Sequence, residues 1–427
     1  MSFGDHSKLD QNERAHDAAE AAARRSYGKL VAFLAARCGD VAAAEDALSE
    51  AFAAALADWP EHGTPANPEG WLLTTARRKL IDAHRRRRGE AGPDALDTIA
   101  DLDQTPEPHE LPDRRLGLLF ACAHPAIEAA IRAPLMLQAV LGLDAARIAS
   151  AFLMSPAAMG QRLVRAKNKI RMAGIPFEVP ERSEMAERIE AVLDAIYAAF
   201  AEGWLDASGT DAGRRDLAEE AIYLGGMVAE LLPDEPEALG LVALMLHAEA
   251  RRKARRSPAG EYVPLAEQDV SQWDATLIAQ AETALRRAGT MNCIGRYQLE
   301  AAIQSAHVER RRSGCANWPA LVRLYDGLVA ITGSPVAALN RALAIAEMDG
   351  APAGLAALDA VRTDPRMLEY QPYWAARAEL LTRTGAWSDA RHAYEVALGL
   401  ERDPSMRQYL DRRRSALPGD ALVFEHS

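Results

Sequence analysis

The stretch RIASAFLMSPAAMGQRLVRAKNKIR, residues 147–171, decides the fold of the middle of the chain. Apolar side chains recur in it at helical spacing, with a break at residues 153–156. Serine is a favoured N-cap and proline is tolerated in the first turn of a helix, so Ser155 and Pro156 mark the start of a second helix. The stretch therefore predicts a helix, a turn of three or four residues and another helix.

The second of these helices carries basic residues on one face and apolar residues on another. Ala158, Arg162, Arg165 and Lys169 share the basic face. A helix after such a turn can lie in the major groove of DNA, with arginines toward phosphates and guanines. The alternative is an ordinary pair of helices with a solvated basic face, and this stretch alone leaves both open.

A second basic stretch, PEGWLLTTARRKLIDAHRRRR, lies upstream at residues 68–88. Its leucines and alanines line an apolar face, and its other side is densely cationic. The loop predicted at residues 59–70 adds aromatic and polar side chains, an arrangement that suits unstacked bases. The candidate nucleic-acid residues of this region are Trp59, His62, Asn67, Arg77, Arg78, Lys79 and Arg85.

A helix with an acidic face precedes the basic one, in GDVAAAEDALSEAFAAAL at residues 39–56. Asp46, Ser49 and Glu50 fall on one side of this helix, and Glu45 is adjacent. Such a face suits docking on a basic protein surface. A solvated helix face is the alternative, and it is favoured when the stretch is taken by itself.

The composition of the 427 residues predicts an all-α protein. Changes in charge and the positions of prolines and glycines divide the chain into segments. Residues 89–113 hold eight acidic residues and no lysine or arginine, which indicates an acidic linker. The predicted segments are a flexible N-terminus at 1–20, a helical domain at 21–88, the linker, a second helical domain at 114–178, and a helical extension at 185–415. The formal net charge of −12 excludes a uniformly basic coat, but not local basic patches.

The C-terminal extension has the character of a helical repeat. Gly350 and Gly385 each separate two alanine-rich helical patterns, and they lie 35 residues apart, close to the tetratricopeptide period of about 34. Arg251–Arg256 is a separate basic run in the extension. It is expected either to contact DNA or a protein partner or to be a solvated helix end.

Four widely spaced cysteines argue against a disulfide framework or a zinc site, and fit a reducing cytoplasm. We expect no cofactor and no bound metal. The first residues lack the apolar core of a signal peptide, and no apolar run of 18 residues predicts a membrane span. A cytoplasmic protein is the expectation.

The order of these features resembles that of the bacterial extracytoplasmic-function (ECF) sigma factors. The resemblance rests on AEDALSEAF at 44–52, on the basic stretch at 68–88, and on IASAFLMSPAAMGQRLVRAKNKIRMAGIPFEVP at 148–180. The extension resembles that of one subgroup, which has a long tetratricopeptide-like C-terminal segment. Its supporting pieces are FAEGW at 200–204, EALGLVALMLHAEARRKAR at 237–255, AEQDVSQWD at 266–274, GRYQLEAAIQSAH at 295–307 and SPVAALNRALAIAEMDG at 334–350.

The resemblance implies a role for each site. Residues 21–88 would be sigma region 2, with Glu45, Asp46, Ser49 and Glu50 on the polymerase β′ clamp and the basic helix on the −10 element. Residues 114–178 would be sigma region 4, a helix-turn-helix that reads the −35 element. Its implied DNA-binding residues are Gln161, Arg162, Arg165, Lys167 and Lys169.

The implied partners are core RNA polymerase, through its β′ clamp and β flap, and promoter DNA. The extension would contact the sigma domains within the same chain and modulate their activity. A sigma factor is not an enzyme, and the sequence contains no GxGxxG, Walker, HExxH or GxSxG motif. The rival interpretation is a DNA-binding transcriptional regulator, with a helix-turn-helix and a helical repeat domain that senses a ligand or peptide.

Overall fold

The computed structural model describes residues 3–88, 113–152, 154–204, 212–309 and 313–418. These residues contain no β-strand, only a single bridge between Arg256 and Tyr262. The predicted all-α fold class is confirmed. None of the helices in the described ranges has the length and hydropathy needed to cross a bilayer.

The helices of the first half are α1 Phe3–Cys38, α2 Val41–His62, α3 Pro68–Arg88, α4 Arg115–Cys122, α5 Ala129–Leu141, α6 Ala145–Ala151, α7 Pro156–Met172 and α8 Arg182–Trp204. Those of the second half are α9 Ala212–Leu231, α10 Pro236–Ala250, α11 Ala275–Gly289, α12 Arg296–Val308, α13 Trp318–Thr332, α14 Pro335–Asp349, α15 Ala351–Val361, α16 Gln371–Arg383, α17 Trp387–Leu400 and α18 Pro404–Ser415. Short 3₁₀ helices lie at Arg252–Arg255, Leu265–Glu267, Val270–Gln272 and Pro365–Glu369.

The chain divides into two compact units. Unit 1 is Met1–Gly203 with Asp216–Ala221, and unit 2 is Trp204–Arg215 with Ile222–Ser427. The two helical domains predicted at 21–88 and 114–178 thus lie in the same unit. Helix α8, which the sequence assigned to the extension, also belongs to unit 1.

Helices α1, α2 and α3 form the first part of unit 1. Asp40 caps α2 by accepting a hydrogen bond from the Ala43 amide (3.2 Å), and Gly63 ends it at a positive φ of 87°. The helix therefore runs to His62 and includes residues 59–62, which were predicted to be loop. Pro60 lies within α2 without ending it.

The N-terminal segment begins within a helix. Flexibility is the expectation for the first twenty residues, and α1 includes those from Phe3 onward. Alanine is the strongest helix former, and its density at residues 18–23 supports the continuation. Ala19 and Ala22 are buried, so this part of α1 also packs. The acidic linker lies outside the described residues except for Asp113, which accepts hydrogen bonds from Arg115.

The second part of unit 1 contains the predicted helix, turn and helix. Helix α6 ends at Ala151 and α7 begins at Pro156, with the Ser155 hydroxyl accepting from the Ala158 amide (3.3 Å). The capping prediction is confirmed. The apolar face packs inward, and its buried members are Ile148, Met159, Leu163, Ala166 and Ile170.

The two parts of unit 1 pack on each other. Helix α1 contacts α4 and α5, and α2 contacts α7. The approach of α1 to α5 is close, because a Cβ on Gly28 would lie 2.1 Å from the carbonyl oxygen of Val140. Gly142, at a φ of 73°, lies against the ring of Tyr27. Only glycine fits either place without a shift of the neighbour.

Helix α8 is the last long helix of the first 203 residues in unit 1, and it contacts the C-terminal end of α4. The Arg188 guanidinium donates a hydrogen bond to the carbonyl of Phe120 (2.8 Å), in the last turn of α4. Carbonyl groups in the last turn of a helix lack intrahelical partners, and arginine is one of the side chains that satisfy them. This bond connects α8 to the preceding helices of unit 1.

Unit 2 consists of helices that pack in consecutive pairs. Helix α10 packs against α11 and α12, α13 against α14, α14 against α15, and α16 against α17. Gly350 and Gly385 adopt positive φ values of 94° and 78° at two of the turns, as their assignment as turn glycines predicts. Alanines such as Ala342 and Ala397 are fully buried where helices cross.

Candidate functional site

The acidic face of α2 is largely open to solvent. Asp46, Ser49 and Glu50 are exposed, as a docking face requires. The Glu50 carboxylate forms an ion pair with the ammonium of Lys79 on α3 (3.2 Å). Both side chains are about half exposed, so this pair is a weak restraint on either group.

The fourth predicted docking residue, Glu45, is in a different environment. Its carboxylate pairs with the ammonium of Lys167 on α7, and the two side chains are only 12% and 9% exposed. The other carboxylate oxygen, Oε1, is buried and has no hydrogen-bond partner among the described residues. Burial raises the pKa of Glu45, and the adjacent Lys167 opposes that rise without cancelling it.

The basic side of α3 is partly exposed and partly buried. Arg78 and Arg85 are exposed and Lys79 is half exposed, so all three can reach a phosphate backbone. Arg77 is buried, at 8% exposure, because it lies beside Ala76 on the side that packs into the unit. Of the predicted cations on α3, Arg77 is the one that the fold turns inward.

The loop before α3 offers less to a base than the sequence indicated. Trp59 is 2% exposed and packs edge-on against Trp71 with ring centroids 5.6 Å apart, so it belongs to the core. Asn67 caps α3 by accepting from the Gly70 amide (2.9 Å). His62 is exposed and lies 3.0 Å from an Asp58 carboxylate oxygen.

The outward face of α7 holds most of the residues predicted for the −35 element. Gln161, Arg165 and Lys169 are exposed. Two exposed residues on the same face were missed, Val164 (58%) and Asn168. Val164 lies three residues after Gln161, and Asn168 lies three residues after Arg165, so helical periodicity was the signal that could have found them.

Arg162 lies at the edge of this face and is held by neighbouring groups. Its Nη2 donates to Glu128 Oε1 (2.8 Å), and its Nη1 lies 3.6 Å from the sulfur of Met154. Glu128 itself is 68% exposed. An open cleft runs along these side chains, lined by Ala126, Ile127, Glu128, Ile131, Arg162, Arg165, Ala166 and Lys169.

Two arginines of the basic run in the extension, Arg255 and Arg256, contact other residues of unit 2. The Arg255 guanidinium lies 4.1 Å from the ring centroid of Trp204 and donates to the Trp204 carbonyl (2.8 Å). Arg256 lies 3.5 Å from a carboxylate oxygen of Asp403, the N-cap of α18. These contacts make Arg255 and Arg256 structural residues, which neither of the two interpretations of the run anticipated.

No group of three or more His, Cys, Asp or Glu side chains that could hold a metal occurs in the part of the chain that the structure describes. Cys122 lies at the end of α4 and is fully buried, and burial raises the pKa of its thiol. A thiol in that environment is less reactive than an exposed one.

Comparison with known proteins adds three matches to this geometry. Residues 23–90 match sigma-70 region 2, and residues 188–289 match a family of unknown function (DUF6596). An uncharacterized protein from Rhizobium meliloti (strain 1021) is 37% identical over 376 residues, which cover 86% of this chain and 88% of that protein. No solved structure gives a significant match.

The region 2 match covers the C-terminal part of α1, from residue 23 onward, and all of α2 and α3. Helices α2 and α3 hold the acidic and basic faces described above. The DUF6596 match begins within α8 and ends at Gly289, the last residue of α11. The relative extends the similarity across both units. The chain belongs to one family with the Rhizobium meliloti protein, and it is a sigma-70-family factor with a C-terminal extension.

Proposed function

We propose that this protein is an ECF sigma factor, which docks on core RNA polymerase and directs it to a class of promoters. The observation that carries the proposal is the region 2 match over α2 and α3. These two helices present an exposed acidic face and an exposed basic face side by side. Sigma region 2 needs both, one for a protein partner and one for DNA.

Docking is assigned to the acidic face of α2. Asp46, Ser49 and Glu50 would contact the basic clamp of the β′ subunit, which is a charge-complementary surface. Glu45 would join them once its pair with Lys167 is broken.

Recognition of the −10 element is assigned to α3 and the loop before it. Arg78, Lys79 and Arg85 would hold backbone phosphates, which contributes affinity and register without sequence information. Extruding a base from the stack costs a few kcal/mol, so pocket contacts from the loop must offset that cost. His62 is the exposed ring available for stacking, and the role of Trp59 and Arg77 is to hold the scaffold.

Recognition of the −35 element is assigned to a helix-turn-helix made by α6 and α7. Gln161, Arg162 and Arg165 would contact base edges, while Lys169 lies nearer the phosphates. Val164 suits the methyl group of thymine, because an exposed aliphatic side chain in a polar face can make that apolar contact. This module would contact the β flap of polymerase.

The extension is proposed to be a tetratricopeptide-like stack that modulates the sigma domains from within the same chain. Consecutive helix pairs with buried alanines at their crossings support this assignment. The bond from Arg188 to Phe120 supports a contact between the start of the DUF6596 segment and the region 4 helices. The protein is proposed to have no enzymatic activity of its own.

The direct test is binding of the purified full-length protein to core polymerase, measured by fluorescence anisotropy. We expect tight binding, and a loss of at least about tenfold for Glu50→Lys, since the change places a like charge against the clamp. Glu190→Lys is the matched control, an exposed glutamate on α8 with the same charge change. Failure of the parent protein to bind core, with tight binding to specific DNA alone, would support a DNA-binding regulator instead.

A further inference from the structure

The basic run of unit 2, residues 251–256, has five cations in six positions, in a chain whose formal net charge is −12. Carboxylates compensate two of its arginines: Arg252 pairs with Glu249 (2.6 Å), and Arg256 pairs with Asp403 (3.5 Å). Arg255 lies between these two arginines in the sequence. It forms no ion pair with any residue that the structure describes.

The structural contacts of Arg255 use only part of its guanidinium. Nη1 donates a hydrogen bond to the Trp204 carbonyl (2.8 Å), and the group lies 4.1 Å from the centroid of the Trp204 ring. Trp204 is the first residue of unit 2, so both partners belong to that unit. Nε and Nη2 donate no hydrogen bond within the part of the chain that the structure describes. These two nitrogens share one edge of the guanidinium plane, and Arg255 is only half-buried, so that edge is available to an acceptor from outside the chain.

A partly buried cation without a counter-charge is unfavourable. Taking a charge out of water carries a penalty, which an opposite charge and complete hydrogen bonding offset. Burial lowers the pKa of Arg255, and the like charges of Arg252 and Arg256 lower it further. Arginine still remains protonated at neutral pH. The environment of Arg255 therefore favours the arrival of an anion.

The hydroxyl of Tyr262 supplies a second donor near Arg255. The Val263 amide donates to the Arg255 carbonyl (2.9 Å), and Arg256 and Tyr262 form a bridge, so Arg255 and Tyr262 lie on neighbouring segments of one hairpin. Burial raises the pKa of Tyr262, and Arg255 is the nearby charge that most opposes the rise. The phenol is therefore protonated at neutral pH. It makes no hydrogen bond to a described residue, so it can donate one to a ligand.

Contacts on both sides hold this hairpin in place. The Arg256 guanidinium donates to the Gly260 carbonyl and to the Ser405 hydroxyl, both at 2.6 Å. The Tyr262 ring packs edge-on against Tyr409 of α18, with ring centroids 5.6 Å apart. Donors that are already fixed lose little freedom when a ligand binds, which favours binding.

From these contacts we propose that unit 2 binds a phosphate group between the guanidinium edge of Arg255 and the hydroxyl of Tyr262. An arginine edge donates two parallel hydrogen bonds to phosphate oxygens. A phosphate monoester carries up to about two negative charges at neutral pH, so it compensates an unpaired arginine flanked by two others better than one carboxylate does. The site concerns the extension itself and does not depend on the proposed action on polymerase.

The test titrates inorganic phosphate into the full-length protein by isothermal calorimetry, at constant ionic strength so that charge screening does not change. We expect saturable binding of one phosphate per chain and weaker binding of acetate, which has a single charge. Phenyl phosphate is titrated in the same way. Tighter binding of phenyl phosphate than of phosphate would assign the site to a phosphate carried on a larger molecule, and weaker binding would assign it to free phosphate.

Two variants identify the site. Tyr262→Phe keeps the ring contact with Tyr409 and removes one hydroxyl, so phosphate affinity should fall about fivefold. Arg255→Gln keeps an amide donor for the Trp204 carbonyl but removes the charge, so affinity should fall at least about tenfold.

Each variant has a matched control in unit 2. Arg287→Gln changes an exposed arginine that also donates to a backbone carbonyl, that of Pro233 (2.8 Å). Tyr370→Phe removes the hydroxyl of another half-buried tyrosine. Both control variants should bind phosphate as the parent protein does.

Urea unfolding of the same proteins separates a phosphate site from a purely structural role. If Arg255→Gln lowers stability but leaves phosphate affinity unchanged, Arg255 only holds Trp204 and the proposal is wrong. A parent titration that does not saturate, or equal losses of affinity in the variants and the controls, would also overturn it. If Arg255→Gln does not fold, Tyr262→Phe decides the question alone, because it keeps the aromatic packing of the hairpin.

Discussion

Lys167 on α7 and Glu45 on α2 form a buried ion pair across 122 positions of sequence. The family resemblance implies contact with promoter DNA for the first residue and with polymerase for the second. Lys167 lies four residues after Leu163 and three before Ile170, within the apolar stripe of α7. Lysine is almost never fully buried unless it is paired. A lysine in that stripe indicates a buried partner.

Gly28 is predicted to be required for the packing of α1 against α5. A Cβ at this position would lie 2.1 Å from the backbone of Val140, and backbone yields less easily than a side chain. Gly28→Ala should lower the free energy of unfolding by about 1–3 kcal/mol in urea titrations, despite the better helix propensity of alanine. Gly160→Ala on α7 is the control, because a methyl group there would meet nothing within 4 Å, and it should be neutral or stabilising. Equal effects of the two changes would contradict this packing.

Trp59 is predicted to stabilise region 2 and not to capture a base. Since the side chain is fully buried, Trp59→Ala should cost about 3–5 kcal/mol of unfolding free energy. Leu56→Ala, at a half-exposed position of the same helix, should cost far less. The prediction fails if Trp59→Ala leaves the unfolding curve unchanged and impairs only promoter melting.

The cations of α7 are predicted to divide into sequence-reading and phosphate-binding residues. Arg165→Ala should reduce discrimination at one −35 base pair by about 1–3 kcal/mol, because an arginine side chain can donate two hydrogen bonds to the O6 and N7 atoms of guanine. Lys169→Ala should weaken binding to all sequences. It should also reduce the slope of the logarithm of the binding constant against the logarithm of salt concentration by about one. Competition titrations of the polymerase complex with single-base promoter variants, at several salt concentrations, measure both. Identical profiles for the two variants would refute the division.

Arg162 presents a separate prediction, because Glu128 holds its guanidinium in place. Arg162→Ala should relax or abolish −35 selection while leaving core binding intact. Glu128→Gln should keep Arg162 in reach but loosen its orientation, so selection should weaken less. Run-off transcription from matched and mismatched promoters distinguishes the two, and unchanged promoter choice in Arg162→Ala would contradict its assignment.

His247 on α10 is predicted to make the stability of unit 2 sensitive to acid. Burial lowers the pKa of this histidine to about 4, with Arg251 adding to the effect, although the Glu282 carboxylate lies 3.4 Å away. Between pH 6.5 and 4 the unfolded state therefore binds more protons, and stability falls by up to about 3 kcal/mol.

Urea unfolding as a function of pH measures this effect. His247→Gln should flatten the pH dependence in that window, whatever it does to stability at pH 7. His392→Gln is the control, because His392 is exposed on α17. Parallel losses of stability in the parent and in His247→Gln would show that other groups are responsible.

Much of the fold follows from local signals. The all-α class, the Ser155 cap and the turn glycines of the extension could all be predicted, because each depends on residues adjacent in sequence. The end of α2 could not, since Pro60 and Gly63 indicate a loop while the burial of Trp59 favours continuing the helix. Tertiary packing outweighed the local turn signal there.

The sequence predicted which helix faces form the candidate site better than it predicted which individual residues are exposed on them. Helical periodicity identified the acidic face of α2 and the basic faces of α3 and α7. It did not identify which cations turn inward, as Arg77 and Lys167 do, because that depends on which helix packs against them. Gly28 indicates in the sequence that α1 has a close neighbour, but a glycine alone does not show that this neighbour is α5.

We propose that this protein confers promoter selection on core polymerase. Transcription of total genomic DNA by core polymerase of the same organism, with and without the full-length protein, tests it most directly when the RNA 5′ ends are sequenced. We predict new start sites that appear only with the protein and share sequence motifs near −10 and −35. Start sites identical to those of core polymerase alone, together with specific DNA binding by the protein in the absence of polymerase, would contradict the claim.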